Sequence, residues 1–194
     1  MARQVNVFQT LEDRGNPDIV MRDGPFKCRW QNSWLGEGYY FWEVLLNSAH
    51  WWGKSHLKGN YIICEANYRF DDEKIFDLSN GNPQHNLDFD SYLSELTTKG
   101  FIKEKVTTVS RVFNFIRTHI KGFGKYEASR AYSPNAIGEK YPEHLHKLYF
   151  EFEKEMYLDM RPAVQICFYS KSALNLNNYH IIHPEKYVDE GFSS

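Results

Sequence analysis

The hydrophobic pattern of this chain changes its period along the sequence. Residues 5–10 alternate apolar and polar side chains, and residues 163–169 form a short apolar run, as strands do. Residues 88–98 and 103–121 instead place apolar side chains at helical spacing. We therefore expect an α+β fold, in which the two ends build a β-rich shell and residues at about 71–160 form a mostly helical insertion.

Length and composition favour one domain over residues 1–194. Hydrophobic residues make up 42% and charged residues 25%, but aromatic residues reach 16%, enough to fill a core and also line a pocket. No run of 18 apolar residues predicts a membrane span, and the first residues lack the apolar segment of a signal peptide.

The cysteines and histidines argue against disulfides and metal. Cys28, Cys64 and Cys167 are odd in number and widely spaced, so we expect neither a disulfide framework nor a CxxC metal site. Cysteines without a disulfide framework are typical of a reducing compartment and favour a cytoplasmic location. His144 and His146 are close in sequence, but no HExxH pattern is present, and we expect no metal. A nuclease or deaminase stays an enzymatic alternative that would need one.

Charge is unevenly distributed in the middle of the chain. Residues 71–96 hold seven acidic side chains and one lysine, whereas residues 97–130 hold eight basic and two acidic ones. Two interpretations stay open: the blocks screen each other, or the basic block forms a face for a polyanionic partner such as RNA or DNA. In the second case Tyr126 and Tyr132 are available to stack on bases.

The segment Gly36-Glu37-Gly38-Tyr39-Tyr40-Phe41 is the most informative. Glycines before a strand allow close backbone approach, and neighbouring tyrosines point to opposite faces, so one ring can line a cleft. An aromatic ring there suits a flat cationic ligand, although an ordinary aromatic strand accounts for the same residues. A dinucleotide fingerprint is excluded, because the third glycine is missing and a strand follows.

This segment, with Ala49 and Trp52 after it, resembles the central motif of the ADP-ribosyltransferase fold. Val7-Phe8-Gln9-Thr10 is similar to the family's first motif. Gln165-Ile166-Cys167-Phe168, with the final strand at residues 179–182, resembles its last motif. The resemblance covers the β shell only and implies a split β-sheet.

What the resemblance implies is an NAD+-dependent mono-ADP-ribosyltransferase, similar to diphtheria toxin and PARP enzymes, that modifies a protein or nucleic acid. Small bacterial members imply a toxin of a toxin–antitoxin or phage-defence system with an inhibitory partner protein. The implied NAD-binding residues are Gln9, Thr10, Gly36, Gly38, Tyr39 and Tyr40. The implied catalytic residues are Tyr40, which would stack on nicotinamide, and Gln165, which would orient the reacting ribose.

Two positions depart from the family's pattern. Gln9 stands where a histidine holds the NAD ribose, and Gln165 stands where the catalytic glutamate is found. Glutamine keeps the hydrogen-bonding capacity and lacks the charge. An active transferase and a catalytically inactive NAD-binding or protein- or RNA-binding module therefore both stay open. Glu37 and Glu43 are either nearby carboxylates for the site or surface charges.

Overall fold

A seven-stranded sheet organises the protein, whose structure is a computed structural model describing residues 3–30, 33–103, 107–133, 147–151, 154 and 156–188. The strands are β1 (Gln4–Glu12), β2 (Tyr39–Glu43), β3 (Tyr61–Arg69), β4 (Ile75–Asp77), β5 (Ala128–Ser133), β6 (Lys147–Tyr149), β7 (Tyr157–Asp159), β8 (Ala163–Phe168) and β9 (Leu176–His183). The helices are α1 (Pro17–Asp23), α2 (Leu46–His56), α3 (Pro83–Thr98), α4 (Val109–His119) and α5 (Glu185–Val188). The α+β class is confirmed.

The sheet consists of two halves that meet between β1 and β2. Its strand order is β4-β5-β8-β2-β1-β3-β9, and all neighbours are antiparallel except β4 and β5. β1 and β2 are joined by two residue pairs only, Val7–Glu43 and Phe8–Trp42. The resemblance implies a split sheet, whereas the described strands form one sheet with a short seam at this position.

The middle of the chain differs from the expected helical insertion. Helices α3 and α4 form as the spacing predicts, but β4 and β5 belong to the main sheet. The β6–β7 hairpin also contradicts the weak helical pattern that continues to Phe152, because residues 147–149 pair as a strand. The glycines at 122 and 124 predict a polar loop up to about Tyr141, and its last part lies among residues 134–146, outside the described residues.

Helix boundaries follow local capping. Helix α3 begins after Asn82, whose side chain accepts a hydrogen bond from the Gln84 backbone N–H, so the helix starts one turn before residue 88, where its apolar spacing begins and where Asp88 or Asp90 would be the expected caps. Pro83 follows the cap, where its missing N–H costs nothing. The Gly, Pro, Asn and Asp content of residues 13–34 predicts a loop, but helix α1 forms in part of it, also with a proline in its first turn.

Helices α2, α3 and α4 cover one face of the sheet. Helix α4 turns its buried Val112, Phe113 and Ile116 toward Phe76 of β4 and Cys167 of β8. The core on the opposite face includes Val7, Phe41, Tyr68, Ile166 and Phe168. Within the described part of the chain, no helix is long and apolar enough to cross a membrane.

Candidate functional site

A cavity of about 740 Å³ lies at the seam between the two half-sheets. Strand β1 lines it with residues 9–12 and strand β2 with residues 40–42. The connection between α1 and β2 adds residues 26–30, and Gln165 of β8 lines the cavity beside its cross-strand neighbour Trp42. The short pairing of β1 with β2 thus places three strands around one space.

Gln165 is a buried polar residue of this cavity, and its side-chain oxygen accepts no hydrogen bond from the described residues. Its side chain is only 6% exposed, between Trp42 of β2 and Ala131 of β5 in the register of the sheet. Its Oε1 has no hydrogen-bond partner within the described structure. A buried unsatisfied acceptor costs roughly 1–3 kcal/mol, so a ligand that donates a hydrogen bond here removes that cost.

Gln9 also lines the cavity, but its hydrogen bonds go to the protein. Its Nε2 donates to the Phe26 carbonyl at 2.8 Å. Its Oε1 accepts from the Phe26 N–H at 3.0 Å and from the Tyr179 hydroxyl at 2.9 Å. Gln9 therefore fastens the wall of the cavity to β9, and Thr10 similarly fastens α2 by donating to the Ala49 carbonyl.

Tyr40 contributes its half-buried ring to the cavity wall while its hydroxyl is held by the turn before it. The hydroxyl donates to the Gly36 carbonyl at 2.6 Å and accepts from the Leu35 N–H at 2.7 Å. Burial raises the pKa of this phenol far above its usual range. Tyr40 is thus a neutral, fixed ring and not an acid or base near neutral pH.

Gly36, Gly38 and Tyr39 do not line the cavity. Gly36 has φ +84°, and a Cβ on it would lie 2.5 Å from Asn114 Oδ1 of α4. A Cβ on Gly38 would lie 2.5 Å from the Phe168 carbonyl oxygen. Protein packing alone therefore requires both glycines, and Tyr39 packs into the core on the opposite face.

Four tryptophans line the cavity: Trp30, Trp34, Trp42 and Trp52. The Trp42 ring contacts two of the others. Its centroid lies 5.9 Å from that of Trp34, in an edge-on arrangement, and 6.2 Å from that of Trp52. The high aromatic content predicts rings that line a pocket, but only Trp52 falls within a motif. Trp30 and Trp34 come from the segment expected to be a loop, where no periodicity indicates which way a ring points.

Glu43, a candidate carboxylate, is a buried structural residue. Its side chain is 4% exposed and forms an ion pair with Arg130 of β5, which also pairs with Asp77 of β4 at 3.0 Å. Burial opposes the charge of Arg130, but Glu43 and Asp77 raise its pKa overall. Glu37 is exposed and pairs with Lys27 at 2.9 Å, which lowers the pKa of Glu37.

The basic block is tied to the rest of the protein through two of its arginines, whereas Lys103, Arg111 and Lys121 are exposed. Tyr126 is buried, with its hydroxyl 3.1 Å from His85 Nε2, so its expected role in stacking on a base is wrong. Arg117 donates to the Glu37 carbonyl at 2.9 Å and lies over the Tyr169 ring. The buried pair of Asp77 with Arg130 joins the acidic block to the basic block, as the screening interpretation predicts.

No cluster of three or more His, Cys, Asp or Glu side chains suited to a metal ion occurs among the residues that the structure describes. No protein-family model matches the sequence, and no solved structure matches it significantly. The chain is similar to an uncharacterized protein, MJ0359, of Methanocaldococcus jannaschii. The two are 25% identical over 181 residues, covering 82% of this chain and 78% of that protein.

Proposed function

We propose that the cavity binds NAD+ and that the protein is an NAD+-dependent mono-ADP-ribosyltransferase acting on a macromolecular acceptor. One observation carries the proposal. Gln9, Tyr40 and Gln165 come from three motifs far apart in the sequence, yet all three line a single cavity. A chance resemblance of short motifs gives no reason for their residues to meet.

The chemistry of the wall suits a dinucleotide. Gln165 lines the cavity, and once its buried amide turns toward that space its unpaired Oε1 can accept a hydrogen bond from a ribose hydroxyl of NAD+. The tryptophan rings offer flat apolar surface to the nicotinamide and adenine rings. Bound NAD+ supplies an activated ADP-ribosyl group: nicotinamide leaves C1′ with the bonding electrons, and the acceptor nucleophile bonds there and loses its proton.

In this proposal Gln165 orients the ribose by hydrogen bonding. A neutral amide does not stabilise positive charge at C1′ as a carboxylate does, so the reaction depends on positioning and on the acceptor. Tyr40, which lines the same cavity, provides a fixed ring for the nicotinamide. Gln9 acts as a positioning residue, because its donors and acceptors are already used by Phe26 and Tyr179.

The decisive experiment measures nicotinamide release and label transfer from NAD+ to cell protein, RNA and DNA. Gln165→Met keeps the size of the side chain and removes the acceptor, and we expect transfer to fall about 100-fold or more. Unfolding should show no loss of stability, because an unsatisfied buried polar group is replaced by an apolar one. Gln4→Met, on the exposed part of β1, is the matched control. Absence of NAD+ binding to the wild-type protein at millimolar concentration contradicts the proposal.

A second candidate is an NAD-binding module without catalysis, favoured by the missing charge at Gln165. It predicts NAD+ binding without nicotinamide release in the wild-type protein. Nicotinamide release by the wild-type protein separates the two candidates, and Gln165→Glu then tests whether a silent module has intact geometry, because it should gain nicotinamide release when the carboxylate is supplied.

A toxin role with an inhibitory partner protein is part of the first proposal. It rests on the resemblance, and a cytoplasmic place of action agrees with the three free cysteines. Expression in cells should arrest growth for the wild-type protein and not for Gln165→Met. Equal toxicity of both proteins contradicts this role.

A further inference from the structure

The outer part of the cavity carries a half-exposed tryptophan supported by other rings. Trp30 lines the cavity and is 49% exposed. Its ring centroid lies 5.6 Å from that of Trp52, and Trp52 in turn stacks on His56 at 3.8 Å with an angle of 11°. This arrangement fixes Trp30 from one side and leaves ring surface accessible to a ligand.

The charge around these rings is positive. Three basic side chains line the cavity, Arg14, Lys27 and Arg29, against one carboxylate, Glu12. Glu12 pairs with Arg14 at 2.7 Å, and Lys27 pairs with Glu37. Arg29 is exposed and forms no ion pair within the described part of the chain, although it lies close enough to Glu37 to help lower the pKa of that carboxyl, so its guanidinium can still contact a ligand.

The accessible Trp30 ring and the excess of basic side chains together favour one class of ligand. Tryptophan faces bind organic cations well, but a cation here would meet an excess of positive charge. A nucleotide matches both features, because its base stacks on an indole and its phosphate pairs with arginine. A simple apolar ligand would leave the unpaired Arg29 unexplained.

We infer that Trp30 and Arg29 form a nucleotide-binding subsite, with the base stacked on Trp30 and a phosphate held by Arg29. The inference deepens the proposed function and rests on it for the assignment of the cavity to nucleotides. Two sources supply this chemistry, the adenylate half of NAD+ and a nucleotide of an acceptor strand. Neither residue belongs to a motif of the resemblance.

The test measures binding of AMP and of a five-nucleotide single-stranded RNA by titration calorimetry, at low and moderate salt, without NAD+. Trp30→Ala should weaken binding about 5- to 150-fold, and Trp30→Phe should keep most of the affinity. Arg29→Gln should weaken binding and flatten its salt dependence. The controls are Phe150→Ala, an aromatic residue 70% exposed outside the cavity, and Arg161→Gln.

The outcomes distinguish the two sources of the nucleotide, and they distinguish failure of the subsite from failure of the proposed transferase. Binding of AMP that depends on Trp30 assigns the subsite to the adenylate half of NAD+, and binding of RNA alone assigns it to an acceptor strand. Affinity that is unchanged in both Trp30→Ala and Arg29→Gln, or no binding of either ligand at millimolar concentration, overturns the inference. Trp30-dependent AMP binding in a protein that releases no nicotinamide keeps the subsite and contradicts the transferase.

Discussion

Gln9 and Gln165 are the same residue type in one cavity, but their side-chain amides are bonded differently. Both side chains are more than nine-tenths buried, at 3% and 6% exposure. The Gln9 side chain makes four hydrogen bonds within the protein, with the N–H and carbonyl of Phe26, the Tyr40 carbonyl and the Tyr179 hydroxyl, whereas the acceptor of Gln165 has no partner among the described residues. Because a saturated amide has nothing left to offer a ligand, we assign stability to the first and recognition to the second.

Gln9→Ala should therefore destabilise the fold. The substitution leaves the N–H and carbonyl of Phe26 and the hydroxyl of Tyr179 without their partner in a buried place. At roughly 1–3 kcal/mol for each buried group left unpaired, we expect the free energy of unfolding to fall by about 2 kcal/mol or more. Urea unfolding measures this loss.

Gln4→Ala on the same strand is the matched control for Gln9→Ala. The Gln4 side chain donates to Asn67 Oδ1 at 2.9 Å, but the pair is exposed. Water replaces the lost partner there, so the expected change is within about 0.5 kcal/mol. Equal losses for Gln4→Ala and Gln9→Ala would contradict the structural role of Gln9.

At the level of elements, His85 joins α3 to β4. Its Nδ1 accepts a hydrogen bond from the Asp77 backbone N–H at 2.9 Å, and its Nε2 lies 3.1 Å from the Tyr126 hydroxyl and 3.2 Å from Asn82 Nδ2. The ring also stacks on Phe76. Burial lowers the pKa of His85, and protonation of Nδ1 would break the bond from Asp77.

The lowered pKa of His85 predicts that the free energy of unfolding is smaller in acid. The unfolded chain takes up a proton on His85 near pH 6.5, and the folded protein does so only at lower pH. The free energy of unfolding should therefore fall as the pH drops below about 6.5 and level off below the folded-state pKa. Urea unfolding at pH 7.5 and 5.5 should show a smaller pH effect in His85→Gln than in the wild type. Identical pH effects would exclude His85 as a source.

The elements that could be predicted are those with a local pattern. Strand β1 alternates and α4 has a clear apolar stripe, so both are readable from the sequence. Strands β4 and β5 could not be predicted in this way. In the sequence Asp77 and Arg130 resemble surface charges, and they neutralise each other only because the two strands are adjacent in the fold. Trp30 was missed as a site residue for a related reason, since nothing in its loop predicts its direction.

On the scale of the whole molecule, the seam between the half-sheets makes the cavity. One half contains β1, β3 and β9, and the other contains β2, β8, β5 and β4. Two residue pairs and a hydrogen bond from the Val44 N–H to the Asn6 carbonyl join them, but the pairing does not continue to residues 9–12 of β1 and 39–41 of β2, where only the Gln9 side chain bonds the Tyr40 carbonyl. A ligand in this cavity contacts both halves at once, so its binding free energy also holds the halves together.

Hydrogen exchange should reveal this bridging. With NAD+ added, we expect slower exchange on both sides of the seam, in residues 9–12 of β1 and 40–42 of β2, together with residues 26–30. The β6–β7 hairpin, which forms its own two-stranded sheet, is the internal control and should not change. Saturating ligand at about 100 times its Kd should stabilise the fold by about 2.7 kcal/mol, measurable as a rise in Tm.

The pattern of protection decides whether the seam is the binding site. Protection confined to one half-sheet means that the ligand lies on a surface of that half and does not bridge the two. Protection confined to α3 and α4 places the ligand on the helical layer and contradicts the assignment of the cavity. Protection on both sides that disappears in Trp30→Ala but persists in Phe150→Ala ties the bridging ligand to the outer wall. A ligand held only by Gln165 and Trp42 should instead keep its protection in both variants.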